Sequence, residues 1–63
     1  MTPQQFTEWR ERLSLRKGGA ASVLGVSKNM PRKYEAGEAP IPLYVALACS
    51  ALAMGLAPYG STR

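Results

Sequence analysis

The folding pattern of this chain is most evident in residues 21–37, ASVLGVSKNMPRKYEAG. Gly25 is placed to end one helix in the left-handed conformation, and Ser27 is a candidate to cap a second helix. Tyr34 is the obvious core residue of that second helix, and Gly37 is placed to end it. The stretch therefore predicts two short helices joined by a tight turn.

Pro31 is the unusual residue of this stretch. If Ser27 is the cap, Pro31 is the fourth helical residue, and its missing N–H is the group that would have bonded back to Ser27. Proline also disfavours helical geometry at Met30. The second helix is therefore expected to begin late or to be kinked. Either change would displace Lys28 and Asn29 from their positions on the helix.

Upstream of this stretch, residues 2–14 predict a first helix. Thr2 can cap it, Pro3 suits the first helical position, and Gln5 completes a capping box with Thr2. An apolar stripe at helical spacing is expected to face the core: Phe6, Trp9 and Leu13. The helix that ends before Gly25 is expected to begin late, near Gly18 or Gly19, which gives a two-helix unit over residues 18–36.

Downstream, residues 42–56 predict a last helix opened by Pro42, followed by a tail over residues 58–63. This helix is apolar nearly all round and is shorter than the roughly 20 residues that span a bilayer. It must therefore be buried on more than one side, either in a homodimer contact or within the monomer alone. The residues expected in the dimer contact are Tyr44, Leu47, Ala48, Ala51, Leu52, Met54 and Gly55.

Positive charge is concentrated in the middle of the chain. The 63 residues carry a formal net charge of +4, with Lys+Arg 8 against Asp+Glu 4. Between Arg12 and Lys33 every charged residue is basic. An acidic partner such as nucleic acid is the first class to consider, and a solvated basic face is the alternative.

The composition also argues against several classes of function. The single cysteine, Cys49, lies in an apolar run and there is no histidine, so neither an intrachain disulfide nor a zinc site is expected. No acid pair marks a catalytic pocket, and neither an enzyme, a cofactor, a metal nor a small-molecule ligand is expected. The first residues lack the apolar core of a signal peptide, which indicates a cytoplasmic protein.

The stretch AASVLGVSKNMPRKYEAGEAPIP, with its two helices and intervening turn, resembles the helix-turn-helix domain of the Cro and lambda-repressor type (XRE family). The similarity runs from about Phe6 to Leu52. It implies an all-α bundle of four or five helices with a central helix-turn-helix, a homodimer, binding to an inverted-repeat operator in double-stranded DNA, and repression of its own promoter. The short chain also resembles mobile-element autorepressors, including the anti-CRISPR-associated regulators of phage operons.

Matching the family position by position assigns the exposed side chains of the second, DNA-reading helix to four residues: Lys28, Asn29, Arg32 and Lys33. Asparagine can pair with adenine and arginine with guanine through two hydrogen bonds each, and Arg32 is the first candidate for reading a base. Glu35, three residues on, is expected either to hold the Arg32 guanidinium or to form a surface ion pair.

The chain departs from the family at Lys17, Gly18 and Gly19, where a glutamine and two helix formers are usual, and at Pro31, where valine or isoleucine usually faces the core. The glycines would let backbone N–H groups approach a phosphate, or they mark a longer loop before a shorter helix. The residues expected to contact phosphate are Arg16, Lys17, Gly18, Gly19 and Ser27.

Two rival functions remain at the level of sequence. One is an antitoxin or adaptor whose apolar last helix binds a protein partner, with nucleic-acid binding secondary. The other is binding of structured RNA by the same basic residues, although no aromatic platform for unpaired bases is evident.

Overall fold

The structure, a computed structural model, describes residues 1–60. These residues form an all-α bundle of four helices: α1 (Pro3–Arg12), α2 (Lys17–Leu24), α3 (Met30–Ala36) and α4 (Leu43–Ala53). The all-α class is as predicted. Within the described residues, no helix combines the length and the apolar character needed to cross a membrane.

The predicted capping box of α1 is confirmed. The Thr2 side chain accepts a hydrogen bond from the Gln5 N–H at 3.1 Å, and the Gln5 side chain accepts one from the Thr2 N–H at 2.8 Å. The helix ends at Arg12, two residues before the predicted limit, because Ser14 adopts a left-handed backbone with φ of 57°. This turn leads the chain toward α2.

Helix α2 begins at Lys17, one residue before the predicted start, so Gly18 and Gly19 lie inside its first turn. It ends as expected, with Gly25 in the left-handed conformation at φ 72°. A side chain is strained at such a φ value, which is why glycine suits this position.

Ser27 does not cap α3, contrary to the prediction. The helix begins at Met30 with Asn29 in the cap position, and Ser27 instead closes a turn by accepting the Met30 N–H on its carbonyl oxygen at 3.0 Å. Pro31 is thus the second helical residue, where no intrahelical N–H bond is required. The expected shortening is confirmed: the proline is accommodated by a later start.

Helix α4 is shorter than predicted at both ends, running from Leu43 to Ala53 rather than over residues 42–56. Pro42 has extended backbone angles and occupies the cap position. Gly55 takes a left-handed φ of 75° and stops the helix. Of the predicted tail, residues 61–63 lie outside the described residues.

The core lies where α1, α2, α3 and α4 meet. Its buried residues are Phe6, Trp9, Ala20, Tyr34, Val45 and Cys49, with Leu13 and Leu24 packed at its edge. The Phe6 and Tyr34 rings meet edge to face with centroids 5.4 Å apart, which joins α1 to α3. The Trp9 indole N–H donates to the Cys49 carbonyl oxygen at 2.9 Å and joins α1 to α4. Burial of Phe6, Trp9 and Tyr34 confirms their predicted core positions.

Candidate nucleic-acid interface

The exposed side of α3 carries polar and basic side chains. Pro31 and Tyr34 are buried on the opposite side, which turns Arg32 toward solvent and leaves Lys33 half-buried. Asn29 precedes the helix but has helical backbone angles, φ −82° and ψ −15°. Asn29, Arg32 and Lys33 therefore stand at i, i+3 and i+4 and are neighbours on one side.

Two of the predicted base-reading residues are not on the helix. Matching to the family assigned Lys28 and Asn29 to the second helix, but both lie in the turn before it because the helix begins at Met30. The displacement of these two residues is the one expected from Pro31. Both are exposed. Lys28 lies farther from α3 than Asn29 along the chain, so it is better placed for a phosphate than for a base edge.

A second basic region lies at the start of α2. Arg16 and Lys17 are exposed, and the cap residue Arg16 makes no side-chain hydrogen bond to the helix. Gly18 is exposed, and a Cβ built on it would meet nothing within 4 Å, whereas one on Gly19 would lie 3.6 Å from the Leu15 side chain. The first N–H groups of a helix have no intrahelical acceptor and attract anions. All the predicted phosphate-contact residues are exposed except Gly19, which is half-buried.

An ion pair joins the elements that carry these two basic regions. The Arg10 Nε donates to Glu35 Oε2 at 2.7 Å and its Nη2 donates to Glu35 Oε1 at 3.2 Å. The same guanidinium donates from Nη1 to the Leu15 carbonyl oxygen at 3.0 Å. Arg10 thus links α1, the loop that enters α2, and α3 through one planar group.

Burial and charge act in opposite directions on Glu35. Burial raises the pKa of its carboxyl, but hydrogen bonding to Arg10, with the charges of Arg10 and Lys17, outweighs this and lowers the pKa below its ordinary value. The hydrogen bond to Glu35 raises the pKa of Arg10. Helices α2 and α3 pack against each other.

The expected contact between Glu35 and Arg32 is wrong, because Glu35 is bound to Arg10. Arg32 instead lies 3.6 Å from Glu38, and both side chains are more than half exposed. An exposed pair of this kind contributes under about 1 kcal/mol. Arg32 is therefore free to leave Glu38 for another acceptor.

Sequence reasoning missed the role of Arg10. One local signal was present: Arg10 is four residues after Phe6, and so lies on the same side of the helix as that core residue. Its partner, Glu35, is 25 residues away, and nothing local identifies the pair.

The residues predicted for a dimer contact lie along α4 and its end. Tyr44, Leu47 and Met54 are 69%, 61% and 75% exposed, and Gly55 is also exposed. Three smaller or flanking residues are half-buried: Ala48, Ala51 and Leu52. The prediction did not include Leu43, which is 75% exposed on the same helix.

Cys49 belongs to the core rather than to any site, as predicted. It is buried, and burial raises the pKa of its thiol to about 11. The thiolate is the reactive form of cysteine, so the group is inert near neutral pH.

Comparison with known proteins adds no further assignment. No family model matches the chain, and no curated protein and no solved structure matches it significantly.

Proposed function

We propose that this protein is a homodimeric, sequence-specific regulator that binds double-stranded DNA and represses transcription from its own promoter, on a phage or other mobile element. The helix-turn-helix would consist of α2, the connecting turn and α3. Its place of action would be the cytoplasm, where operator DNA is accessible. The observation that carries the proposal is the polar, basic side of α3, held in place by the Arg10–Glu35 pair.

The proposed division of labour follows from side-chain geometry. Arg32 presents a planar guanidinium with paired donors, which suits the O6 and N7 acceptors of guanine, and Asn29 suits adenine. Lys33 would supply a point charge beside a base. Lys28, at the other end of this surface, would supply one near the DNA backbone. Arg16 and Lys17 would meet the phosphates that flank the groove.

The fixed orientation of α3 supports sequence-specific rather than general binding. A helix can read base edges only if its side chains are held in a fixed position relative to the residues that contact phosphate. The Arg10 guanidinium binds both Glu35 of α3 and the Leu15 carbonyl in the loop before α2, and so connects the elements that carry the proposed base-reading and phosphate-binding residues.

Selection from a pool of random duplexes tests this function. A twofold dimer with one reading helix per protomer should enrich an inverted repeat whose half-sites are about 34 Å, one DNA turn, apart. An Arg32→Ala variant should enrich the pool poorly, with less preference at one base pair in each half-site. Recovery of random sequences by the parent protein would contradict the proposal.

The exposed side of α4 favours a second candidate function, an antitoxin or adaptor that binds another protein through this helix. Large exposed apolar patches commonly mark interaction sites. The two functions differ in their preference for the operator. An adaptor would bind operator and scrambled duplexes with equal affinity, and this affinity would fall steeply with salt, as for a nonspecific basic surface.

A further inference from the structure

Helix α4 presents large apolar side chains to solvent on the side opposite the core. Val45 and Cys49 face inward and are buried, while Leu43, Leu47 and Met54 project outward. The helix contains no Asp, Glu, Lys or Arg. Exposure of these side chains is unfavourable by roughly 1.5–3 kcal/mol for each one that a partner would fully bury.

A groove adjoins this outward side. It has a volume of about 320 Å³, lies between α2 and α4, and is also lined by the chain that follows α4. Ala48 and Ala51 form part of its lining, with Val23, Leu24 and Leu56 around them. Small residues three apart on one helix allow another helix to approach closely.

The occupant that these features fit best is a second copy of the chain. A twofold contact uses the same surface on both partners, so it needs projections and hollows on one surface. Here Leu43 and Leu47 are the projections, and Ala51 and the groove beside it are the hollow. Both partners are uncharged along α4, so no charged group of the helix is taken out of water.

Size also favours a self-contact. A chain of 63 residues buries a small core and gains stability if a partner covers further apolar surface. A stable interface of standard size buries roughly 800 Å² on each partner. That is a modest share of the 4614 Å² that the chain exposes.

We propose that two copies pack α4 against α4 in an antiparallel register, with the twofold axis crossing each helix at the level of Cys49. This register places Leu47 opposite Ala51 of the partner subunit, and Leu43 opposite Gly55 of the partner subunit. Each of these two leucines then meets a small residue, while Tyr44 lies opposite Met54 of the partner subunit. The proposal rests on the homodimer of the proposed function and specifies how that dimer is built.

The register is tested by exchanging a large and a small residue. Leu47→Ala removes the projection and Ala51→Leu fills the hollow, so each alone should weaken the dimer about tenfold or more in sedimentation equilibrium. The variant with both substitutions recreates the pairing with the large side chain on the other residue. Its dimer dissociation constant should return to within a few-fold of the parent value.

Ala53→Leu is the matched control, because it is the same substitution on the same helix at an exposed residue that faces α1. It should leave the dimer unchanged. The proposal is overturned if the parent chain is monomeric at tens of micromolar, if Ala53→Leu weakens the dimer as much as Ala51→Leu, or if the double variant shows no recovery. The measurement needs no DNA, so its failure is distinguishable from a failure of operator binding.

Discussion

Arg32 is the residue on which base reading is expected to depend most. Its guanidinium is exposed on α3, and its only ion-pair partner among the described residues is the exposed Glu38 at 3.6 Å. Lys17, at the start of α2, offers a point charge instead. The two residues are expected to contribute to different parts of the binding free energy.

Arg32→Ala should weaken binding to the operator by about 1–3 kcal/mol and leave binding to a scrambled duplex much less affected. Lys17→Ala should weaken both duplexes about equally and reduce the slope of log affinity against log salt by about 1. Fluorescence anisotropy on both duplexes at several salt concentrations distinguishes these effects. Equal losses on both duplexes for Arg32→Ala would exclude its base-reading role.

Gly18 gives a second prediction at the residue scale, because nothing in the fold requires a glycine there. Gly18→Ala meets no atom within 4 Å and should stabilise α2 by up to about 1 kcal/mol in chemical denaturation. If a phosphate approaches this backbone, the added methyl group should weaken binding to all DNA. Gly25→Ala is the contrasting control, since its φ of 72° makes the same change destabilising. Unchanged DNA affinity in Gly18→Ala would remove Gly18 from the phosphate contacts.

At the scale of elements, the Arg10–Glu35 pair joins α3 to α1. The pKa of Glu35 is lowered from 4.5 in the folded protein, so the unfolded chain takes up the proton first as pH falls. The stabilisation is therefore complete above the unfolded pKa and is lost as pH falls through the lower, folded pKa. The lowered pKa of Glu35 therefore predicts that the protein loses stability at acid pH.

Glu35→Gln should lower the free energy of unfolding by about 2 kcal/mol at neutral pH, the scale of hydrogen bonds to charged groups. The gap between parent and variant should close as the pH falls below 4.5, the ordinary carboxyl value. Urea unfolding over a pH series measures both. Glu8→Gln, at an exposed carboxylate of α1, should change stability little. A gap that stays constant with pH would show that the pair does not stabilise the fold through its charge.

Local signals predicted the elements well where the decisive residues are close in sequence. Thr2 and Gln5 form the capping box that their spacing indicates, and Gly25 and Gly37 end their helices as expected. The predicted start of α3 was wrong, because Ser27 does not cap the helix. Pro31 fits the helix only if the start moves past Ser27.

The candidate site was less predictable because its supports are distant in sequence. The exposure of Arg32 follows from the helical positions of its neighbours, and sequence alone indicated it. The bond from Arg10 to Glu35 connects α1 to α3 and required the packing of both helices on Phe6 and Tyr34.

For the whole molecule, dimerisation and folding are expected to be coupled. The outward side of α4 is apolar, and a partner that covers it stabilises the folded state by mass action. The thermal midpoint should therefore rise with protein concentration in the parent, and Leu47→Ala should lose much of this dependence. A midpoint that is independent of concentration in a reversible transition would argue for a stable monomer.

The most direct test of the central claim, sequence-specific DNA binding, is an anisotropy titration of a duplex from just upstream of the protein's own gene against a scrambled duplex at two salt concentrations. We predict a preference for the native duplex of about a thousandfold or more that persists at the higher salt. Equal binding to both duplexes, falling steeply with salt, would contradict the claim and leave a basic surface without sequence preference.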